Sequence, residues 1–79
     1  MPKLLLVRGI RFFFYSNEMN EPPHVHVVKG DAYGKIWVDP LEIKYLIGFT
    51  LAEKRLIIEI VKSNIVTFKA RWNAHLIKK

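Results

Sequence analysis

Apolar and polar positions alternate along much of the first half of this chain, then recur every three to four residues through its last third. The first period belongs to strands and the second to a helix. The stretch KLLLVRGIRFFFYS, residues 3–16, is branched and aromatic and is interrupted once, at Arg8-Gly9. That pattern predicts a hairpin with strands over 3–7 and 10–16. A two-residue turn pairs Val7 with Ile10 and Leu5 with Phe12. Leu5, Val7, Phe12 and Phe14 then share one face, and Leu4, Leu6 and Phe13 the other. Apolar groups on both faces describe strands covered on both sides; a dimer surface would supply the second cover.

SNEMNEPP, residues 16–23, reads as a polar loop closed by two prolines. Proline cannot donate to a ladder, so Pro22-Pro23 belongs in the loop or at the start of the next strand. HVHVVKGDAYGKIWVD then carries Gly30-Asp31 at its middle, which suits a type II′ turn. With Lys29 opposite Ala32, Val27 faces Gly34, His26 faces Lys35, Val25 faces Ile36 and His24 faces Trp37. This register sorts the side chains. Val25, Val27, Ile36 and Val38 form a core face. His24, His26, Val28, Tyr33, Lys35 and Trp37 form a mixed face, basic and aromatic.

Asp39-Pro40 breaks the strand. Residues 41–47 fit either a helical turn or a short last strand, because so few positions carry no decisive period. Thr50 to Glu53, TLAE, matches a capping box with Thr50 as N-cap. From there Ile57, Val61, Ile65, Phe68, Trp72 and Leu76 fall within a sector of about 100° on a helical wheel. Arg55, Lys62, Lys69 and Asn73 lie away from that stripe, as does Val66, an apolar exception that suggests a partner contact. A straight helix over 51–77 would run about 40 Å, against an expected radius of gyration of about 12 Å for the whole domain. The helix must overhang, dock on a second subunit or break. Ser63-Asn64 is the natural break, although the continuous stripe favours one helix, bent or straight.

The expected fold class is α+β: a four- to five-stranded antiparallel sheet with a long C-terminal helix packed on one face. Residues 1–79 make a single domain, with a β-rich part over 1–48 and a helical part over 49–79. A chain of this size buries only about 60% of its unfolded surface, so its core is thin. Cysteine is absent, which removes disulfides and thiolate metal sites as supports. MPKLLLVRG is too short in apolar residues for a secretory core, and no run is long enough to cross a bilayer. A cytoplasmic, non-membrane protein is expected.

Thirteen basic and seven acidic side chains give a net charge of +6. Most of the excess belongs to residues 49–79, where Lys54, Arg55, Lys62, Lys69, Arg71, Lys78 and Lys79 outnumber Glu53 and Glu59. Such asymmetry points to nucleic acid, an acidic protein or an anionic membrane, with Arg55, Lys62 and Lys69 as the residues to contact a phosphate backbone. A solvated helix face that keeps a small protein soluble accounts for the same charge, and ranks ahead.

His24 and His26 raise the question of chemistry. Residues i and i+2 of a strand project from one face, and imidazole ligates metals, but zinc needs at least one further ligand. Glu21, Asp39 and His75 are the candidates, while the cross-strand neighbours are Lys35 and Trp37. An ammonium beside a cation site opposes binding, so His24 and His26 are weak metal candidates and no cofactor is implied. HVHVV resembles part of the histidine-triad hydrolase motif, yet Val28 stands where the third histidine is required. Acid–base work without a metal suits histidine near neutral pH, although no carboxylate orienter is evident. The mixed face also offers stacking surfaces and a positive charge of the kind single-stranded nucleic acid uses. The structural alternative ranks first: His24 and His26 pack on Trp37 and bond to carbonyls of residues 21–23. The candidate site is therefore His24, His26, Tyr33, Lys35 and Trp37, with no catalytic residue assigned.

The order of MPKLLLVRGIRFFFYSNEMNEPPHVHVVKGD, KIWVDPLEI and a helix ending in RWNAHL closely resembles the small bacterial family of domain of unknown function 4160. Phe12 to Val27 is the most specific part, and Glu21, Pro22, Pro23, His24, His26, Gly30, Trp37, Asp39 and Pro40 carry the motif. The resemblance implies a stand-alone cytoplasmic protein, often encoded beside another small protein (domain of unknown function 2442) in an arrangement like a toxin–antitoxin or regulatory pair. It implies no catalytic residue. The helix is richer in lysine and arginine than the family leads one to expect. The leading expectation is an interaction module that binds a small protein partner or nucleic acid, with a homodimer as a further expectation. The alternative is a small nuclease-like or metal-binding enzyme using His24 and His26.

Overall fold

The computed structural model describes residues 3–14 and 21–77, with side chains described over 5–14 and 21–74. Five strands, β1 (Lys3–Val7), β2 (Ile10–Phe13), β3 (His24–Lys29), β4 (Ala32–Val38) and β5 (Leu41–Ile47), form one antiparallel sheet in sequence order. Two helices follow, α1 (Leu51–Ser63) and α2 (Ile65–Ile77). The protein is an α+β domain.

Turn chemistry sets the sheet. Arg8 and Gly9 both take positive φ, 51° and 82°, as a type I′ hairpin turn requires. Val7 then pairs with Ile10 and Leu5 with Phe12. Gly30 alone supplies the positive φ of the second turn, and β3 and β4 pair from Lys29 and Ala32 through His24 and Trp37, the register expected from the side-chain pattern. Residues 41–47 are a strand, joined to β4 through Asp39-Pro40, whose peptide bond is cis. Pairing of β4 with β5 slips at one point: Lys35 faces Tyr45 and Ile36 faces Ile43, leaving Lys44 as the extra residue of a bulge. The strand β2 stops at Phe13, shorter than the expected 10–16; residues 15 and 16 and most of the polar loop lie outside the described residues.

The core lies between one sheet face and the helices. Ile10, Phe12, Val25, Val27, Ile36 and Val38 from the sheet meet Ile57, Val61 and Phe68 from the helices. Phe12 and Phe68 rings lie 6.3 Å apart. The capping box forms as expected: Glu53 N–H donates to Thr50 Oγ1 at 3.1 Å and Thr50 N–H to Glu53 Oε1 at 2.9 Å.

The long C-terminal helix is two helices of 13 residues each, divided at Ser63-Asn64, the break the sequence offers. A continuous rod of about 40 Å would exceed the molecule's longest dimension of 36 Å. The bend falls at Asn64, whose φ of −116° leaves the helical range. Its Nδ2 donates to the Ile60 carbonyl at 2.8 Å, placing a side-chain donor in the hydrogen-bond ladder, a recognised cause of kinks. The apolar stripe nevertheless continues, because Phe68 N–H still donates to the Asn64 carbonyl at 2.8 Å. Val66 points away from the core and is exposed.

Candidate functional site

The helices cover the core face of the sheet through Ile57, Val61 and Phe68; the candidate residues lie on the opposite face, which α2 reaches at His24 through Trp72. Strand pairing arranges that face in cross-strand rows. One row reads Leu6, Arg11, Val28, Tyr33, Ile47 across all five strands. A second reads Phe13, His26, Lys35, Tyr45, and a third His24, Trp37, Glu42. Directly opposed side chains are the unit of contact on a sheet face, so each row is a physical band.

The five candidate residues separate into an inner group and an outer one. His24 is fully buried at the start of β3. Its ring meets Trp37 at 5.4 Å, His26 at 5.1 Å and Trp72 of α2 at 4.9 Å between centroids. The Nδ1 of His24 lies 2.9 Å from the Pro22 carbonyl; a carbonyl only accepts, so Nδ1 carries the proton in that bond. His26 is half-buried and stacks on Phe13 at 5.7 Å. Lys35 donates to Glu21 Oε1 at 2.6 Å and lies 4.8 Å over the Trp37 ring. Its charge therefore braces the segment before β3 and serves a cation–π contact.

That arrangement bears on the metal reading. Glu21, the nearest carboxylate by sequence, receives the Lys35 ammonium, and its Oε1 stands 3.9 Å from His24 Nδ1. Among the described residues no three His, Asp or Glu side chains gather as a metal-ligand group. His75, the other candidate ligand, has no described side chain.

Tyr33 belongs to the outer group. It is 47% exposed, with Ile47 at 48% and Leu6 at 54% at the two ends of its row. Its ring meets Tyr45 edge-on at 6.1 Å. The first row is thus an apolar and aromatic band with one arginine, open to solvent at both sheet edges. Tyr45, Ile47 and Trp72 were not among the candidates. The bulge at Lys44 shifts the alternation of β5, which conceals which of its residues share a face with Tyr33; Trp72 reads as core by helical spacing and contacts the histidine cluster from there.

The residues expected to contact phosphate are divided too. Arg55 and Lys62 line an open hollow of about 450 Å³ on α1 with Lys54, Ile58 and Glu59. Lys69 is instead turned to Asp39 on the β4–β5 turn, at 3.8 Å. A second hollow, at the start of α1, holds Lys29 bonded to Glu53 at 2.5 Å, beside Arg8 and Leu56. The Lys29 hydrogen bond, and then the bond from Thr50 N–H, hold the Glu53 carboxyl below its ordinary value of 4.5.

The family model described as Domain of unknown function (DUF4160) matches residues 9–73. The chain belongs to the DUF4160 family. All five candidate residues, the Glu21–Lys35 pair and the His24–Trp72 contact fall within the matched span. Comparison with curated proteins and with solved structures gives no match. Among the described residues, this DUF4160 domain has no helix long and apolar enough to cross a membrane.

Proposed function

We propose that this DUF4160 protein is a non-enzymatic interaction module that docks a small protein partner on the open face of its sheet. It would act as one half of a regulatory pair of the toxin–antitoxin kind. The observation that carries the reading is the row Leu6, Arg11, Val28, Tyr33, Ile47, which crosses all five strands and in which exposed Leu6, Tyr33 and Ile47 flank Arg11 and the half-buried Val28. Apolar bands of that kind on a small domain mark contact surfaces, and tyrosine and arginine are favoured anchors in them. Aliphatic groups at both ends of the row suit a protein better than a nucleic acid, which asks for stacking surfaces and phosphate contacts.

The enzyme alternative fits less well. His24 is fully buried, and its Nδ1 proton is engaged by the Pro22 carbonyl. A general acid or base must come within hydrogen-bond reach of its substrate. The charged hollow at Arg55 and Lys62 keeps nucleic acid as a second reading.

The experiment is co-purification from the protein's own cells, with and without nuclease, of the wild type and of Tyr33→Ala with Ile47→Asp. One protein retained by the wild type, resistant to nuclease and lost from the double variant at unchanged melting temperature, is the expected result. Recovery of nucleic acid lost on Arg55→Glu and Lys62→Glu would replace the reading with the second one. Recovery of the chain alone would overturn both.

A further inference from the structure

Arg11 is the one charged residue of the row that crosses all five strands. Leu6 stands directly opposite it on β1 and Val28 on β3. Its side chain is exposed. Other bases of the molecule have carboxylates of their own: Lys29 has Glu53, Lys35 has Glu21 and Lys69 has Asp39. Among the described residues, no carboxylate pairs with Arg11. An unpaired guanidinium is thus set inside an apolar band.

Given the open face as a protein-docking surface, a reading on which this inference rests, we propose that the docked partner presents a carboxylate within an apolar segment. Arg11 receives that aspartate or glutamate. Neighbouring strands lie about 4.8 Å apart, so Leu6 and Val28 are about 5 Å from Arg11 and Tyr33 about 10 Å. A carboxylate seated on Arg11 therefore needs apolar neighbours on both sides. An ion pair left in water is worth little. Here the flanking apolar groups exclude water as the partner closes, and the attraction strengthens as the local dielectric falls. The guanidinium fork can donate two parallel N–H bonds to one carboxylate. A partner without an acid at that place would strip water from Arg11 with nothing to replace it. The row therefore selects for the acid as well as for apolar surface.

Charge complementarity separates this occupant from two others. A nucleic acid repeats a negative charge at every nucleotide, and a single arginine would leave most of them unmatched along the row. A second copy laid row on row brings the same unpaired Arg11. The exposed acid of that face, Glu42, belongs to the row of His24 and Trp37, about 13 Å away along the strands. A second copy that reached Arg11 with Glu42 would draw its own apolar row off this one.

The test selects binders from a displayed library of random peptides on the immobilised full chain. Their affinities are then measured for the wild type, Arg11→Met, Arg11→Glu, and Tyr33→Ala with Ile47→Asp. The expected binders carry an aspartate or glutamate between apolar residues. Their affinity should fall about tenfold or more on Arg11→Met, which keeps the apolar stem, and further on Arg11→Glu. Melting temperatures should not change, and the double variant should bind none of them. Selection repeated on Arg11→Glu should return lysine or arginine in place of the acid. Binders lost with Tyr33→Ala and Ile47→Asp but indifferent to Arg11→Met and Arg11→Glu overturn the carboxylate and leave the docking surface standing. A library that yields no binder dependent on Tyr33 and Ile47 overturns both. A wild-type dimer by light scattering that Tyr33→Ala with Ile47→Asp splits puts a second copy on the row and overturns the proposal as well.

Discussion

His24 and Trp72 meet with ring centroids 4.9 Å apart. One opens β3 and the other lies on α2, so the contact ties the histidine pair to the far end of the chain. Trp72 also meets Phe14 edge-on at 5.3 Å. The cluster closes one end of the core, and the bond from His24 to the Pro22 carbonyl fixes the segment before β3 against it. Burial of an imidazole on this scale is consistent with a structural part, because its polar atom has a partner and its ring faces are packed.

His24→Ala should therefore unfold the domain more readily. It removes a buried ring and leaves the Pro22 carbonyl without its donor, a loss of about 2–4 kcal/mol. Trp72→Ala should cost about 3–5 kcal/mol. In a double-mutant cycle the two changes should fall short of additive, since they share one contact. Denaturant unfolding of the four proteins measures this. A stable His24→Ala protein would return His24 to the list of functional candidates.

Thr50→Ala should destabilise the domain by about 1 kcal/mol, the usual cost of a lost N-cap. Both halves of the capping box are formed, so Glu53→Ala should act on the same helix end. Far-ultraviolet circular dichroism during urea unfolding would read the change in midpoint with little change in slope.

Acid should weaken the fold partly through Glu53. Its carboxyl lies below 4.5 in the folded chain, chiefly because of Lys29 and then Thr50. The folded state consequently binds fewer protons than the unfolded chain in that range. The stabilisation is complete above the ordinary carboxylate value and fades as pH falls from there through the lower folded value. Melting temperature against pH should show this slope in the wild type and a shallower one in Glu53→Gln. Lys29→Met should flatten the slope in the same sense, and added salt should reduce the difference between the proteins.

Much of the fold is legible because local chemistry and side-chain pattern agree. Arg8-Gly9 and Gly30 fix two turns, and each turn fixes a register that sorts apolar from polar. Residues 41–47 resist reading because seven positions are too few to set their alternation against a helical turn, and the bulge at Lys44 then turns Tyr45 to the face opposite Ile43, which the pattern does not report. The bend at Asn64 is legible as a place but not as an outcome, since the stripe of Ile57, Val61, Phe68 and Trp72 runs through it. At the candidate site, cross-strand pairing of His24 with Trp37 and His26 with Lys35 follows from the turn alone. The Glu21–Lys35 bond and the arrival of Trp72 on His24 do not, because they join segments whose relative placement depends on tertiary packing.

Two glycines of the second hairpin should respond differently to alanine, because different physics selects them. Gly30 takes φ 58°, and a Cβ added to it would meet nothing within 4 Å. Gly30→Ala should cost about 1 kcal/mol through backbone strain, and Gly30→Asn should recover much of it, since asparagine tolerates that conformation. Gly34 has room in φ but not in space. A Cβ there would press on Leu46 Cδ2, lie 2.7 Å from the Tyr45 carbonyl and 3.1 Å from Val27 Cγ2. The leucine can turn; the carbonyl belongs to β5 beside the bulge and can yield only if that strand moves. Gly34→Ala should cost about 1–3 kcal/mol, and Gly34→Asn should be worse rather than better. Hydrogen exchange should place the loosening in β5, with amides of 43–47 exchanging faster while those of β2 and β3 stay protected. Equal loosening across the sheet would mean that Gly34 is set by something other than the approach of β5.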